Sequence, residues 1–104
     1  MVEWTEAAAL SDFGAARKLV CDVGGQSVLL CKVGLDIVAI RNSCTHLGEP
    51  LADGRIIAGQ IHCPFHGACF DLRTGKALSG PAVAPLTKFD VRLDADKIFI
   101  KLPG

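Results

Sequence analysis

Two short hooks contain the residues in this chain that could do chemistry. Cys44-Thr45-His46-Leu47-Gly48 offers a thiol and an imidazole with one residue between them, and Cys63-Pro64-Phe65-His66-Gly67 offers the same pair with two residues between them. Sixteen residues separate His46 from Cys63. Thiolate and neutral imidazole are both metal ligands, but they differ in charge and softness. Two of each suit a binuclear centre with unlike ends, Cys44 and Cys63 on one metal and His46 and His66 on the other. The spacing predicts a 2Fe–2S cluster in which two histidines replace two cysteines on one iron. Tetrahedral zinc is the competing reading, because two Cys and two His satisfy it as well. Zinc hooks usually carry two to four residues between the first ligand pair, so the single residue inside Cys44-x-His46 fits zinc poorly. Gly48 and Gly67 allow the backbone to fold tightly behind each hook, and Pro64 stiffens the second.

These hooks resemble the two ligand boxes of Rieske iron–sulfur proteins. The likeness extends along the chain: Phe70-Asp71-Leu72-Arg73-Thr74-Gly75-Lys76-Ala77 is similar to the strand and turn after the second box, and Gly80-Pro81 to the proline loop that covers the cluster. Size and surrounding pattern resemble the ferredoxin components of bacterial aromatic-ring-hydroxylating dioxygenases. The resemblance implies one Rieske-type 2Fe–2S cluster per chain, held by Cys44, His46, Cys63 and His66. It also implies a soluble one-electron carrier. Such a carrier takes an electron from a flavoprotein ferredoxin reductase and passes it to a terminal non-haem iron oxygenase. It does no substrate chemistry itself. A Rieske subunit of another redox enzyme, such as the small subunit of a nitrite reductase, is the alternative. Members of that group without the four ligands carry no cluster, and all four are present here.

Departures from the high-potential Rieske pattern carry information. The positions of the loop-bridging disulfide are Glu49 and Phe65, so that bridge cannot form. The positions that place hydroxyl groups near cluster sulfur are Ala68 and Phe70, and the chain has no tyrosine. Hydrogen bonds to sulfur favour the more negative reduced cluster. Their loss implies a low-potential centre.

Composition narrows the remaining classes. The 104 residues carry formal net charge zero and are 50% hydrophobic, which excludes a disordered chain and argues against nucleic-acid binding. A domain this small has a modest core, and a cluster crosslinking two loops would staple it. No apolar run reaches membrane-spanning length. Residues 1–20 hold Glu3, Glu6 and Asp12 and no long apolar stretch, which predicts no signal peptide or N-terminal anchor. A cytoplasmic monomer is expected. Of five cysteines, Cys21, Cys31 and Cys69 are not assigned to metal and read as small buried hydrophobes. A turn at Gly24-Gly25 sets Cys21 opposite Val28, not Cys31. His62 points away from the Cys63 face of its strand and reads as a non-ligand. It is the one histidine left over, too few for a second, mononuclear iron site.

The elements that must position the hooks are short strands at regular spacing with glycine turns, an all-β signature of antiparallel sheets. Strands are expected at Val2–Glu6, Arg17–Asp22, Ser27–Val33, Ile37–Arg41, Arg55–Ala58, Gln60–His62, Ala68–Asp71, Leu86–Arg92 and Lys97–Leu102. A helical turn is expected at Ala7–Leu10, and loop from Ser79 to Pro85. The organisation expected is one Rieske domain: a β base formed by residues 1–41 and 84–104, with a small cluster-binding subdomain, residues 42–83, inserted into it. Asp71, Arg73 and Lys76 are expected to stabilise the turn at Thr74-Gly75.

Overall fold

Short stretches of apolar or mixed residues, punctuated by glycine, build only short strands. The computed structural model describes residues 4–43, 50–63, 68–79 and 84–102. Its strands are β1 (Trp4–Ala9), β2 (Lys18–Val23), β3 (Gln26–Val33), β4 (Asp36–Arg41), β5 (Arg55–Ile57), β6 (Gln60–His62), β7 (Cys69–Asp71), β8 (Ala77–Ser79), β9 (Lys88–Asp94) and β10 (Lys97–Lys101). A single 3-10 turn, Leu10–Phe13, separates β1 from β2. A six-stranded sheet runs in the order β1-β10-β9-β4-β3-β2, and a four-stranded sheet in the order β5-β6-β7-β8. Every pairing is antiparallel. Among the described residues, no helix is long and apolar enough to cross a membrane.

Turn chemistry sets the register. Gly24 and Gly25 both have positive φ, 59° and 81°, which suits a two-residue hairpin turn and puts Cys21 opposite Val28 as expected. Ala58 and Gly59 turn the chain the same way between β5 and β6, at φ 52° and 77°.

Strands β3 and β4 are buried on both faces, which explains the near-continuous apolar run Val28-Leu29-Leu30-Cys31. Val28, Leu30 and Ala39 face one core together with Phe13, Val23, Phe89, Ile98 and Ile100. Leu29, Cys31, Val33, Val38 and Ile40 face a second core together with Leu51, Ile61, Cys63, Ala68, Phe70, Leu72 and Leu86. The four-stranded sheet therefore lies against the back of β3 and β4.

Four expectations need correction. The first strand runs on to Ala9 instead of ending at Glu6, because a bulge between Glu6 and Ala8 keeps it paired with β10. The helical turn falls later, at Leu10–Phe13, where the Asp12 carboxylate accepts the Ala9 N–H at 2.9 Å. Ala77–Ser79 is a strand that the sequence pattern did not announce. The ninth strand begins at Lys88, not Leu86. Leu86 is in the preceding loop, where its N–H donates to Gly75 O at 2.7 Å.

Candidate metal centre

The second hook is mounted on the β6–β7 hairpin. Ile61 pairs with Phe70 and His62 with Cys69. The ladder then continues one step beyond the strands, where the Cys63 N–H donates to Ala68 O at 2.7 Å. The chain thus leaves at Cys63 and returns at Ala68 across one hydrogen bond. Cys63 is 3% exposed and shares its core with Leu51, Ala68 and Phe70.

The first hook is closed at its base by Asn42. The Asn42 side-chain carbonyl accepts the Leu51 N–H at 2.8 Å, bridging the residues on either side of the hook. The Asn42 backbone N–H in turn donates to Ser27 O at 3.0 Å, which ties the closure to β3. Beyond Leu51 the chain turns through Gly54, whose N–H donates to Leu51 O at 2.8 Å. A Cβ on Gly54 would overlap the carbonyl oxygen of His62, so glycine is required for the chain after the first hook to lie against the strand entering the second. Lys18, at the start of β2, donates to Ala52 O at 2.5 Å and also to Gly54 O.

The far end of the four-stranded sheet is a separate construction. Asp71 accepts the N–H groups of Thr74 (3.1 Å) and Arg73 (2.8 Å), which hold its carboxyl below the usual carboxylate range. Arg73 leaves the turn and pairs with Asp36 at 2.7 Å, while Lys88 donates to Arg73 O. Of the three residues expected at this turn, Asp71 makes the contacts through its side chain. Lys76 contributes its backbone N–H to Thr74 Oγ1 at 3.2 Å.

Of the four expected ligands, Cys63 is described, while Cys44, His46 and His66 lie outside the described residues. Gly48, Glu49, Pro64, Phe65, Gly67 and Gly80-Pro81 also lie outside them. Among the described residues, no three His, Cys, Asp or Glu side chains cluster in a way that could hold a metal ion. His62 places Nε2 at 3.7 Å from Cys69 Sγ, and that thiol donates to Gln60 Oε1 at 3.1 Å. Cys31 and Cys69 are buried as expected, whereas Cys21 is only half-buried, with Sγ at 3.7 Å from Val28 O. Burial pushes the Cys31 thiol up to about 12 against the opposing charge of Lys18, so it is inert as a thiolate. The sequence reading missed Asn42, Gly54 and Lys18. The Asn42-Ser43 dipeptide before a ligand was a usable signal for a side chain closing a loop; a lysine opening a strand gave none.

The donor chemistry fits an iron–sulfur centre. Cys63 sits nearly dry at a strand end beside a loop mouth closed by one hydrogen bond, backed by apolar Ala68 and Phe70. A soft thiolate in that position suits iron and sulfide better than a hydrated ion.

Known proteins agree with this reading of the fold and the cofactor. Residues 3–90 match the family model of the Rieske 2Fe-2S domain. The ferredoxin component of the naphthalene 1,2-dioxygenase system of Pseudomonas putida is 36% identical over 101 residues, covering 97% of this chain and 97% of that one. Apoptosis-inducing factor 3 of Homo sapiens is 35% identical over 80 residues, 77% of this chain, and this match spans only 13% of that protein's length. A solved complex of reduced oxygenase and oxidized ferredoxin in carbazole 1,9a-dioxygenase contains a chain that superposes with a TM-score of 0.83 at 30% identity, covering 93% of this chain and 91% of that one. The chain belongs to the Rieske 2Fe-2S domain family, and its cofactor is a Rieske-type 2Fe–2S cluster.

Proposed function

We propose that this protein is a one-electron carrier for an aromatic-ring oxygenase system. It takes electrons from a flavoprotein ferredoxin reductase and delivers them to a terminal non-haem iron oxygenase, as a cytoplasmic monomer. The observation that carries this reading is the end-to-end match, in both chains, to a dioxygenase ferredoxin component. The ligand set is Cys44, His46, Cys63 and His66, presented by a cluster-binding unit of residues 42–83 inserted into a β base of residues 1–41 and 84–104. When bound, the cluster accepts and releases one electron. The residues of this chain do the rest. Cys63 supplies a thiolate from a dry strand end, Asn42 closes the first hook, and Gly54 lets the bases of the two hooks meet. Ala68 and Phe70 offer no hydroxyl near the site, which favours a low potential.

The test is reconstitution. Iron and acid-labile sulfide should be present in equal amounts, and the reduced protein should give an EPR signal of low average g. Mixed with the reductase and oxygenase of the Pseudomonas putida naphthalene system, it should support turnover that saturates with its concentration. Stoichiometric zinc in place of iron would sink the reading. A second reading rests on the human match, in which a related segment forms a small part of a much longer protein. There the same centre would serve as a fixed internal relay. Failure to support turnover in trans, with the cluster intact, would favour it.

A further inference from the structure

Two lysines reach from the six-stranded sheet to backbone carbonyls of the smaller unit, one at each end. Lys88 donates to Arg73 O at the Asp71–Gly75 turn, remote from the hooks along β7. Lys18 donates to Ala52 O and Gly54 O, in the segment that joins the two hook bases. Leu51 precedes that segment and is held by Asn42 across the first hook. Gly54 ends it, in contact with the carbonyl of His62, the residue before Cys63. Fixing Ala52 and Gly54 therefore fixes how the residues at the two hook bases, Leu51 and His62, sit relative to each other.

Lys18 also carries charge into this region. It is the cross-strand partner of Cys31, whose side chain faces the same core as Cys63. Among the described residues, no carboxylate lies within ion-pair distance of Lys18. Asp53 lines the same groove, together with Arg17 and Arg55, so cations outnumber the acid there. An ammonium held in place by two carbonyls favours the more negative of two redox states nearby.

We propose that Lys18 is a positioning residue for electron transfer: it sets the separation of the two hooks through Ala52 and Gly54, and its fixed positive charge raises the reduction potential of the centre they hold. This rests on the reading of the chain as a Rieske electron carrier. Lys88 provides a matched control, because it makes the same kind of bond at the other end of the unit.

The experiment compares cluster-loaded parent with Lys18→Met, Lys18→Arg and Lys88→Met, reading reduction potential by protein-film voltammetry and cluster geometry by EPR g-values and visible circular dichroism. Lys18→Met is expected to lower the potential and shift the g-values, Lys18→Arg to restore most of the parental potential, and Lys88→Met to leave potential and g-values unchanged even where its urea midpoint falls. A folded Lys18→Met with parental potential and g-values overturns the proposal, as do equal potential shifts in Lys18→Met and Lys88→Met. If Lys18→Met does not fold, Lys18→Gln replaces it. A potential below that of Lys18→Arg supports the proposal, and an equal one overturns it. A parent without a Rieske spectrum would instead remove the underlying reading.

Discussion

The six-stranded sheet and the four-stranded sheet bury their apolar surface in different ways. The larger has strands of five to eight residues and encloses a core of its own, with Phe13, Val23, Phe89, Ile98 and Ile100 closing over one face of β3 and β4. The smaller has strands of three residues and encloses nothing alone. Its Ile61, Phe70 and Leu72 depend on Leu29, Cys31, Val38 and Ile40 from the other face of the same two strands. A small sheet needs its hydrophobic face covered to be stable. The difference teaches that the first unit is held by burial, whereas the second needs burial on a borrowed surface and the crosslink of a metal centre.

The largest expected effect tests that division directly. Cys63→Ser should abolish the cluster. Amide exchange should then become fast in β5–β8 and stay slow in β2–β4, β9 and β10. Loss of protection in both sheets together would break the comparison.

Next come the cores. Phe70 is fully buried and Phe89 is 4% exposed, one in each core. Truncating either to Ala should cost about 3–5 kcal/mol. Phe70→Ala should release the cluster at a urea concentration below the loss of β signal in far-ultraviolet circular dichroism. Phe89→Ala should bring the two transitions down together.

A smaller effect concerns tuning. Ala68 is fully buried in the core that holds Cys63. If the hydroxyl of Ala68→Ser reaches cluster sulfur, a charge-assisted bond is worth about 1.5 kcal/mol, which raises a one-electron potential by about 60 mV. An unchanged potential, with a structure showing the bond formed, would contradict the low-potential argument.

The smallest effect is at the Asp71 turn. Its depressed carboxyl pKa means that the turn's contribution to stability is present above the unfolded-state value and is lost as pH falls through the folded one. Asp71→Asn should therefore lower the urea midpoint at neutral pH. The gap to the parent should close in acid. A gap independent of pH would assign the effect to geometry alone.

The sequence was informative where a local pattern coincided with the tertiary requirement. Gly24-Gly25 set the β2–β3 register, and short strands at regular spacing marked β3, β4 and β10. It was silent where tertiary contact alone decides. Ala77–Ser79 has no alternation and is a strand because Phe70 and Cys69 pair with it. Ala7–Ala9 reads as helix by propensity and is strand because β10 is beside it. Leu86 looked like a strand residue because it is apolar, yet it is a core residue of a loop. Lys18 showed nothing in sequence because its acceptors are carbonyls, and every residue has one.

The double-sided burial of β3 and β4 has a consequence for transplantation. Grafting this redox site onto another scaffold invites a cut from Asn42 to Ser79, which contains both hooks and the four-stranded sheet. That fragment would arrive without Leu29, Cys31, Val33, Val38, Ile40 and Leu86, half of the buried residues of its core, and without Lys18. The smallest portable piece therefore begins before β2 and runs to Leu86, so the host must accept β2, β3 and β4 in addition to the small sheet and its hooks.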